Sequence, residues 1–297
     1  MSTVMTLLIT TLSWAQTDPL ARKAPPSWQI SSSASYTSGD YGTNIRTTSI
    51  YVPFTLKRFF SDGSIAVTVP WVSIRSDGGI TFVGEGGHGQ NRRQRGKGSG
   101  SSGSGSGSSG SGSDDDGDGD VDDDDNIPGI QSKKTTRSGL GDVTLSGRYY
   151  VLNEQDYLPS IAGTGFVKFP TANENKGLGT GEFDGGFGIE LSKSLTRDLI
   201  LYLDGGYAIL GEPPGTQLNN PWRYDAGLGY YITDSLVISA FYEESRAIAA
   251  ASPNPRDVFG SLNYTISPMF RIYASGLAGL SNGAPDYSAS GGISIRF

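Results

Sequence analysis

The sequence predicts an all-β fold: a closed antiparallel transmembrane β-barrel of about 12 strands, with one long Gly/Ser- and Asp-rich loop. Three observations carry that expectation. Apolar and polar residues alternate with a period of two along strand-sized segments. The connections between those segments alternate between short turns and long loops. No stretch approaches the roughly 20 consecutive apolar residues that a spanning helix needs, and only 36% of the residues are hydrophobic.

The chain has 297 residues, 43 of them glycine, with one histidine and no cysteine. That excludes a disulfide framework and thiol chemistry. The formal charge of −7 is unevenly placed: nine aspartates lie between Asp114 and Asp125, and without them the remainder carries +2. A nearly neutral body with one acidic insert gives no reason to expect nucleic acid as a partner.

The start, MSTVMTLLITTLSWA, has a short apolar run from Val4 to Leu12, and Ser13-Trp14-Ala15 puts small residues at −3 and −1 of a cleavage site. The positive charge expected ahead of the run is missing. Residues 1–15 are expected to be an export signal peptide, and residues 28–297 the barrel. The first three strand segments fall near 28–39, 44–58 and 63–76, the last two joined at Ser61-Asp62-Gly63. An insert at 77–137, expected to be a flexible extracellular loop, separates them from segments near 140–152, 157–169, 181–193, 198–210, 222–232, 235–247, 256–266, 269–279 and 286–297.

Alternation is clearest at the end of the chain. Tyr287, Ala289, Gly291, Ile293, Ile295 and Phe297 form an apolar or small face, against Asp286, Ser288, Ser290, Gly292, Ser294 and Arg296. From Trp222 the same scheme sets Tyr224, Ala226, Leu228, Tyr230 and Ile232 against Arg223, Asp225, Gly227 and Gly229. A soluble sheet would alternate too, with its apolar face turned inward. Two features favour the membrane barrel. Charges recur on the polar face of most strands, as a wet lumen allows: Lys57, Arg148, Lys168, Glu182, Asp184, Glu190, Asp204, Arg223, Asp225, Arg271 and Arg296 are the candidate pore-lining residues. Trp28, Trp71, Tyr149, Tyr157, Trp222, Tyr231 and Tyr287 cluster near strand ends, as girdles against outer-membrane lipid would.

The final strand, ending in the aromatic Phe297, resembles the assembly signal of outer-membrane proteins, which implies the barrel-assembly machinery as a partner. Four further motifs occur in order: Gly139-Leu140-Gly141-Asp142, Val167-Lys168-Phe169-Pro170-Thr171, Gly177-Leu178-Gly179-Thr180-Gly181 and Asp204-Gly205-Gly206-Tyr207. Together they resemble the barrel family named for the meta-pathway of phenol degradation, well over 139–297 and loosely over 28–76. The resemblance implies an integral barrel of the bacterial outer membrane that transports small, aromatic or hydrophobic molecules. It supplies no defined substrate site to carry over, and the insert at 77–137 departs from its pattern.

An enzyme is not expected. Barrel hydrolases use histidine as base, because its pKa sits near neutrality. The single histidine, His88, lies in a glycine-rich loop with no rigid frame to orient it. Carboxylates such as Glu182 and Asp184 more often pair with bases on neighbouring strands than act as acid and base. The glycine runs are not phosphate loops, since no helix follows them.

The insert opens with Arg92-Arg93-Gln94-Arg95-Gly96-Lys97, which could touch lipopolysaccharide phosphates or simply be solvated. A Gly/Ser linker then runs to Ser113. The following acidic run fits the calcium-loop template, with Asp114, Asp116, Asp118, Asp122 and Asp125 at the oxygen-ligand positions. Asp120 stands at the seventh position and Gly119 at the turn. The last ligand is Asp rather than the usual Glu, and no helices flank the run. A calcium site and a plain acidic linker are equally compatible with this composition. Two functions from different classes follow. One is a channel or transporter whose lumen does the work. The other is a structural or surface-interaction barrel whose calcium-binding loop does. No cofactor other than calcium is expected.

If the run binds calcium, the ion should protect residues 114–125 from proteolysis with an affinity of about 10⁻⁴–10⁻³ M. Magnesium, with its stricter octahedral demand, should be much weaker. Calorimetry that finds no saturable binding, or an equal response to both ions, would make this segment a solvated linker.

Overall fold

The computed structural model describes residues 27–42, 45–76, 135–249 and 252–297. The expected signal peptide, His88, the basic patch and the calcium-loop aspartates Asp114 to Asp125 lie outside the described residues.

Thirteen strands form one sheet: β1 (Trp28–Gly39), β2 (Thr47–Phe60), β3 (Gly63–Ser76), β4 (Thr135–Leu140), β5 (Val143–Leu152), β6 (Ser160–Phe169), β7 (Asp184–Ser194), β8 (Leu199–Ile209), β9 (Trp222–Thr233), β10 (Leu236–Ser245), β11 (Arg256–Thr265), β12 (Phe270–Gly279) and β13 (Tyr287–Arg296). Consecutive strands pair antiparallel except β4 and β5, which both pair with β3, and β1 closes the cylinder on β13 from Gln29↔Arg296 to Ser38↔Tyr287. The result is a closed barrel of twelve strands with β4 outside the ring, paired with β3 alone.

β4 and β5 lie end to end along β3. β4 pairs with Trp71–Ser76 and β5 with Gly63–Thr68. The reason for the break sits on β3. Pro70 has no N–H to give, so it cannot carry the ladder across this point; its carbonyl alone accepts, from Gly141 N at 2.9 Å. The sequence reading placed one strand at 140–152 and kept 77–137 as loop. In the structure β4 begins at Thr135, inside that loop segment, and Gly141-Asp142 interrupts the strand. Pro53, directly opposite Pro70, coincides with a matching gap in the β1–β2 register between Ser32↔Phe54 and Ser35↔Tyr51.

The two faces of the wall differ as a membrane requires. Outward positions carry Phe54, Leu56, Ile65, Phe187, Ile189, Leu228, Ile293 and other exposed apolar side chains. Buried positions on the opposite face carry Ser31, Ser33, Ser35, Thr37, Thr68, Thr144 and Ser294, with charged residues such as Lys168, Asp184, Glu190, Asp204 and Asp225. This is the inverse of a water-soluble sheet and matches a polar lumen inside a lipid-facing shell. The aromatic girdle is present at Trp28, Trp71, Tyr149, Tyr157 and Tyr287, all exposed, and Trp222 stacks on outward Tyr224 at 5.6 Å. Tyr231 is an exception. Its odd position on β9 turns it inward, where it packs against the cluster of Ile200, Tyr202, Phe241, Phe259 and Leu277.

Short turns join β2–β3, β5–β6, β7–β8, β9–β10 and β11–β12 at the rim that holds Trp28 and Phe297; longer loops occupy the other rim. One short-turn contact is unusually dense. Glu154 accepts from Lys193 Nζ at 3.1 Å and from the Ser194 N–H at 2.8 Å, and so ties the β5–β6 turn to β7. Burial pushes the Glu154 carboxyl up, but the hydrogen bonds from Ser194 and Lys193 outweigh it and hold the group below the ordinary glutamate range.

Two predictions follow from this architecture. Leu228→Arg places a charge on the lipid face of β9 and should cost about 2–4 kcal/mol if it lies at mid-membrane, read as a lowered unfolding midpoint in lipid vesicles; an unchanged midpoint would place that face in the lumen. A carboxyl with a lowered folded-state pKa stabilises above its unfolded value and loses that contribution as pH falls through the folded value. Acid unfolding curves of the wild type and Glu154→Gln should therefore separate near neutrality and converge below the glutamate range. Parallel curves throughout would show that the tie contributes nothing.

Candidate functional site

The candidate site is the inner wall. Period-2 geometry sends alternate side chains into the lumen, and the registers fix which ones meet. Lys57 on β2, Arg148 on β5, Lys168 on β6, Asp184 and Glu190 on β7, Asp204 on β8, Arg223 and Asp225 on β9, Arg271 on β12 and Arg296 on β13 all occupy positions on the face opposite the exposed apolar residues. Glu182 differs: it stands on the loop ahead of β7, because the strand begins only at Asp184. Its backbone N–H donates to Thr180 Oγ1 at 3.3 Å.

Two charge groups organise the wall. In the first, Arg148 grips Glu190 as a fork, Nε to Oε2 and Nη2 to Oε1 both at 2.7 Å. Bidentate pairing of this kind fixes both side chains in direction as well as distance. Lys57 lies in the field of both. In the second, Lys168 is fully buried between Asp184 Oδ2 at 2.7 Å and Asp142 Oδ2 at 3.1 Å, and it donates to Thr180 Oγ1 at 3.2 Å. A buried lysine is tolerable only with such partners, and removing one would leave an uncompensated buried charge.

Asp142 reaches Lys168 because Pro70 breaks the strand there. It also holds the loop after β6, accepting from Ala172 N at 2.9 Å. That loop contains a 3₁₀ turn (Glu174–Lys176), then Gly177 at φ 65°, and folds back so that Leu178 is buried with Tyr51, Val72 and Ile74 on the inner face of β2 and β3. Gly179 is required by proximity: a Cβ there would stand 2.8 Å from Asp142 Oδ2 and 2.7 Å from the Ala172 Cβ. The loop is thus drawn into the mouth by one apolar anchor and one charged one.

At the short-turn end, Arg296 lies 4.4 Å over the inward Phe59 ring and Lys57 5.7 Å from it. A partly open cavity of about 170 Å³ lies between Lys57 and Arg148 on one side and Asp225, Glu243 and Asp257 on the other.

Three inward acids escaped the sequence reading: Asp142, Glu243 and Asp257. Glu243 was hidden by its neighbour. In Glu243-Glu244 either could face inward, and only the register with Asp225 decides. Glu244 points outward, accepting from Tyr224 and Tyr242 hydroxyls at 2.6 and 2.9 Å. Asp257 sits at the second position of its strand, where a turn aspartate is equally ordinary. Among the described residues no three acids or histidines converge as metal ligands.

A closed barrel with an apolar exterior and a charged interior is built for a bilayer. Its fold is similar to an outer-membrane channel of Pseudomonas putida F1, with a TM-score of 0.63 at 10% identity over 92% of this chain and 96% of that one. The NanC porin aligns at a TM-score of 0.49 with 12% identity, over 90% and 98% of the two chains. The P. putida toluene transporter TodX aligns at 0.43 with 9% identity, over 95% and 91%. No curated protein matches the chain by sequence. Residues 51–297 match the model of the family described as "Putative MetA-pathway of phenol degradation", and the chain belongs to that family.

Proposed function

We propose that this barrel is a channel for small molecules across the outer membrane, and that it carries no catalytic activity. The observation that carries the reading is the partly open, charge-lined cavity between the Arg148–Glu190 pair and the acids of β9–β11. A barrel kept only as a scaffold would gain nothing from charges on so many inward positions, since each must be partnered at a cost in desolvation. The fold it shares with a P. putida outer-membrane channel supports the same reading. The candidate pore residues are then the wall itself: Lys57, Arg148, Glu190, Arg223 and Asp225 set the field that a solute meets. Lys168, Asp142 and Asp184 anchor the loop that narrows the mouth.

Insertion fits the same reading. Trp28 and Phe297 exchange hydrogen bonds at 2.7 and 2.8 Å and so seal the first strand to the last at the short-turn rim. The barrel-assembly machinery would take hold of that last strand, and lipid would meet the girdle.

Reconstituted protein in a planar bilayer should show discrete conductance steps, and Arg223→Glu should shift the reversal potential toward cations while the protein still migrates differently heated and unheated. A well-folded protein that stays electrically silent, and that admits no small solute into liposomes, would leave a closed structural barrel instead.

A further inference from the structure

The inner wall of β7–β12 carries side chains in rows, because each strand pair sets one inward residue directly opposite the next. Glu190 faces Asp204, Asp204 faces Asp225, Asp225 faces Glu243, and Glu243 faces Asp257. Five carboxylates therefore follow one another on five adjacent strands, at about the 4.8 Å spacing of neighbouring strands. The next inward row toward the short turns is apolar from β8 to β12. Tyr202 faces Gly227, Gly227 faces Phe241, Phe241 faces Phe259, and Phe259 faces Leu277. The ring centroids of Tyr202 and Phe241 lie 5.7 Å apart and those of Phe241 and Phe259 6.1 Å, and Gly227 leaves the room they need: a Cβ there would collide with the Phe241 ring.

The acidic row is short of partners. Arg148 satisfies Glu190. The four remaining carboxylates face one guanidinium, Arg223, which lies in the field of Asp204, Asp225 and Glu243. Asp204 lies within hydrogen-bonding reach of Asp225, and Glu243 of Asp257, carboxyl against carboxyl; beyond these pairs no donor reaches either Asp204 oxygen, Asp225 Oδ1, Glu243 Oε2 or Asp257 Oδ1, although these side chains are 8, 5, 5 and 1% exposed. Asp225, Glu243 and Asp257 line the cavity. Two carboxyls in contact hold together only while they share a proton, since like charges at strand spacing otherwise repel one another and buried oxygens without donors are costly. A cation bearing N–H donors can take the place of that shared proton and reach the remaining oxygens as well. A bare metal ion does not suit the arrangement, since the acids run along the wall one per strand and no three converge on a point. An ammonium group can bridge two neighbouring rungs, and an apolar body attached to it would lie against the aromatic row, where a cation is also favoured near a ring face.

We propose that the carboxylate row from Asp204 to Asp257, with the aromatic row beside it, is a binding track for small protonated amines that carry an aromatic or alkyl body. The proposal rests on the channel reading for its purpose, and its chemistry is tested separately. Folded protein in detergent is titrated calorimetrically with benzylammonium, and with benzoate and benzyl alcohol as charge-reversed and neutral counterparts. Benzylammonium should bind saturably, and the other two at least about tenfold more weakly, the difference one charge-assisted hydrogen bond makes. Asp225→Asn combined with Glu243→Gln should weaken benzylammonium by about the same factor or more. Glu154→Gln, at the β5–β6 turn and away from the row, should leave it unchanged. If the double variant does not fold, Arg223→Gln offers a test in the other direction, because removing the competing guanidinium should tighten binding. Equal binding of benzyl alcohol, preference for benzoate, competition by potassium at equal concentration, or indifference to these variants would overturn the proposal. Conductance without amine binding would sink this inference and spare the channel; amine binding in an electrically silent barrel would do the reverse.

Discussion

Within hydrocarbon each backbone N–H or C=O without a partner costs several kcal/mol, so a sheet can cross a bilayer only if its first and last strands join. In this chain the join is the ten-pair register between β1 and β13, finished by the exchange between Trp28 and Phe297. Once that ladder closes, every strand has two faces with opposite solvents, and the period-2 alternation of the sequence becomes a division between lipid and lumen. The charges that would be intolerable on the outside are then admitted on the inside, and the functional surface is a by-product of closure.

The places where the ladder is incomplete are the places where the wall acquires shape. Pro53 and Pro70 face each other and each withholds a donor from its other neighbour. At Pro70 the consequence is structural: β4 and β5 separate, Asp142 turns inward, Lys168 gains its second carboxylate, and the loop with Leu178 is held in the mouth. A missing N–H on one strand thus positions a buried ion group and the loop packed beside it. The aromatic row follows a similar logic in reverse, with glycines on β9 yielding the space that the rings of neighbouring strands fill.

Much of this was legible in the sequence, and the limits have physical causes. Strands such as β9 and β13 declare themselves because a single alternation fixes both type and facing, and their inward charges Arg223, Asp225 and Arg296 could be named at once. The alternation of short and long connections gave the rims. What alternation cannot give is register. That Glu190, Asp204, Asp225, Glu243 and Asp257 form one row depends on how far each strand slides against the next, which no local pattern states. Nor does alternation identify which proline interrupts which neighbour, so β4 was absorbed into the loop before it. Glu182 was placed on a strand because its parity matches Asp184, but the chain there is still shaped by the inturned loop. Tyr231 was assigned to the outer girdle by residue type, when its parity with Arg223 and Asp225 already turned it inward.

The account stands or falls on the assignment of faces, and a chain without cysteine is well suited to testing it. Single cysteines introduced in turn at 223 to 230, along β9, can be challenged with a water-soluble thiol reagent in lipid vesicles, and the same sites labelled with a fluorophore can be exposed to a lipid-borne quencher. The account predicts a two-residue rhythm: reaction with the aqueous reagent at 223, 225, 227 and 229, and quenching from lipid at 224, 226, 228 and 230. The opposite rhythm, or uniform aqueous reactivity at all eight positions, would contradict a closed barrel with these charges on its inner wall.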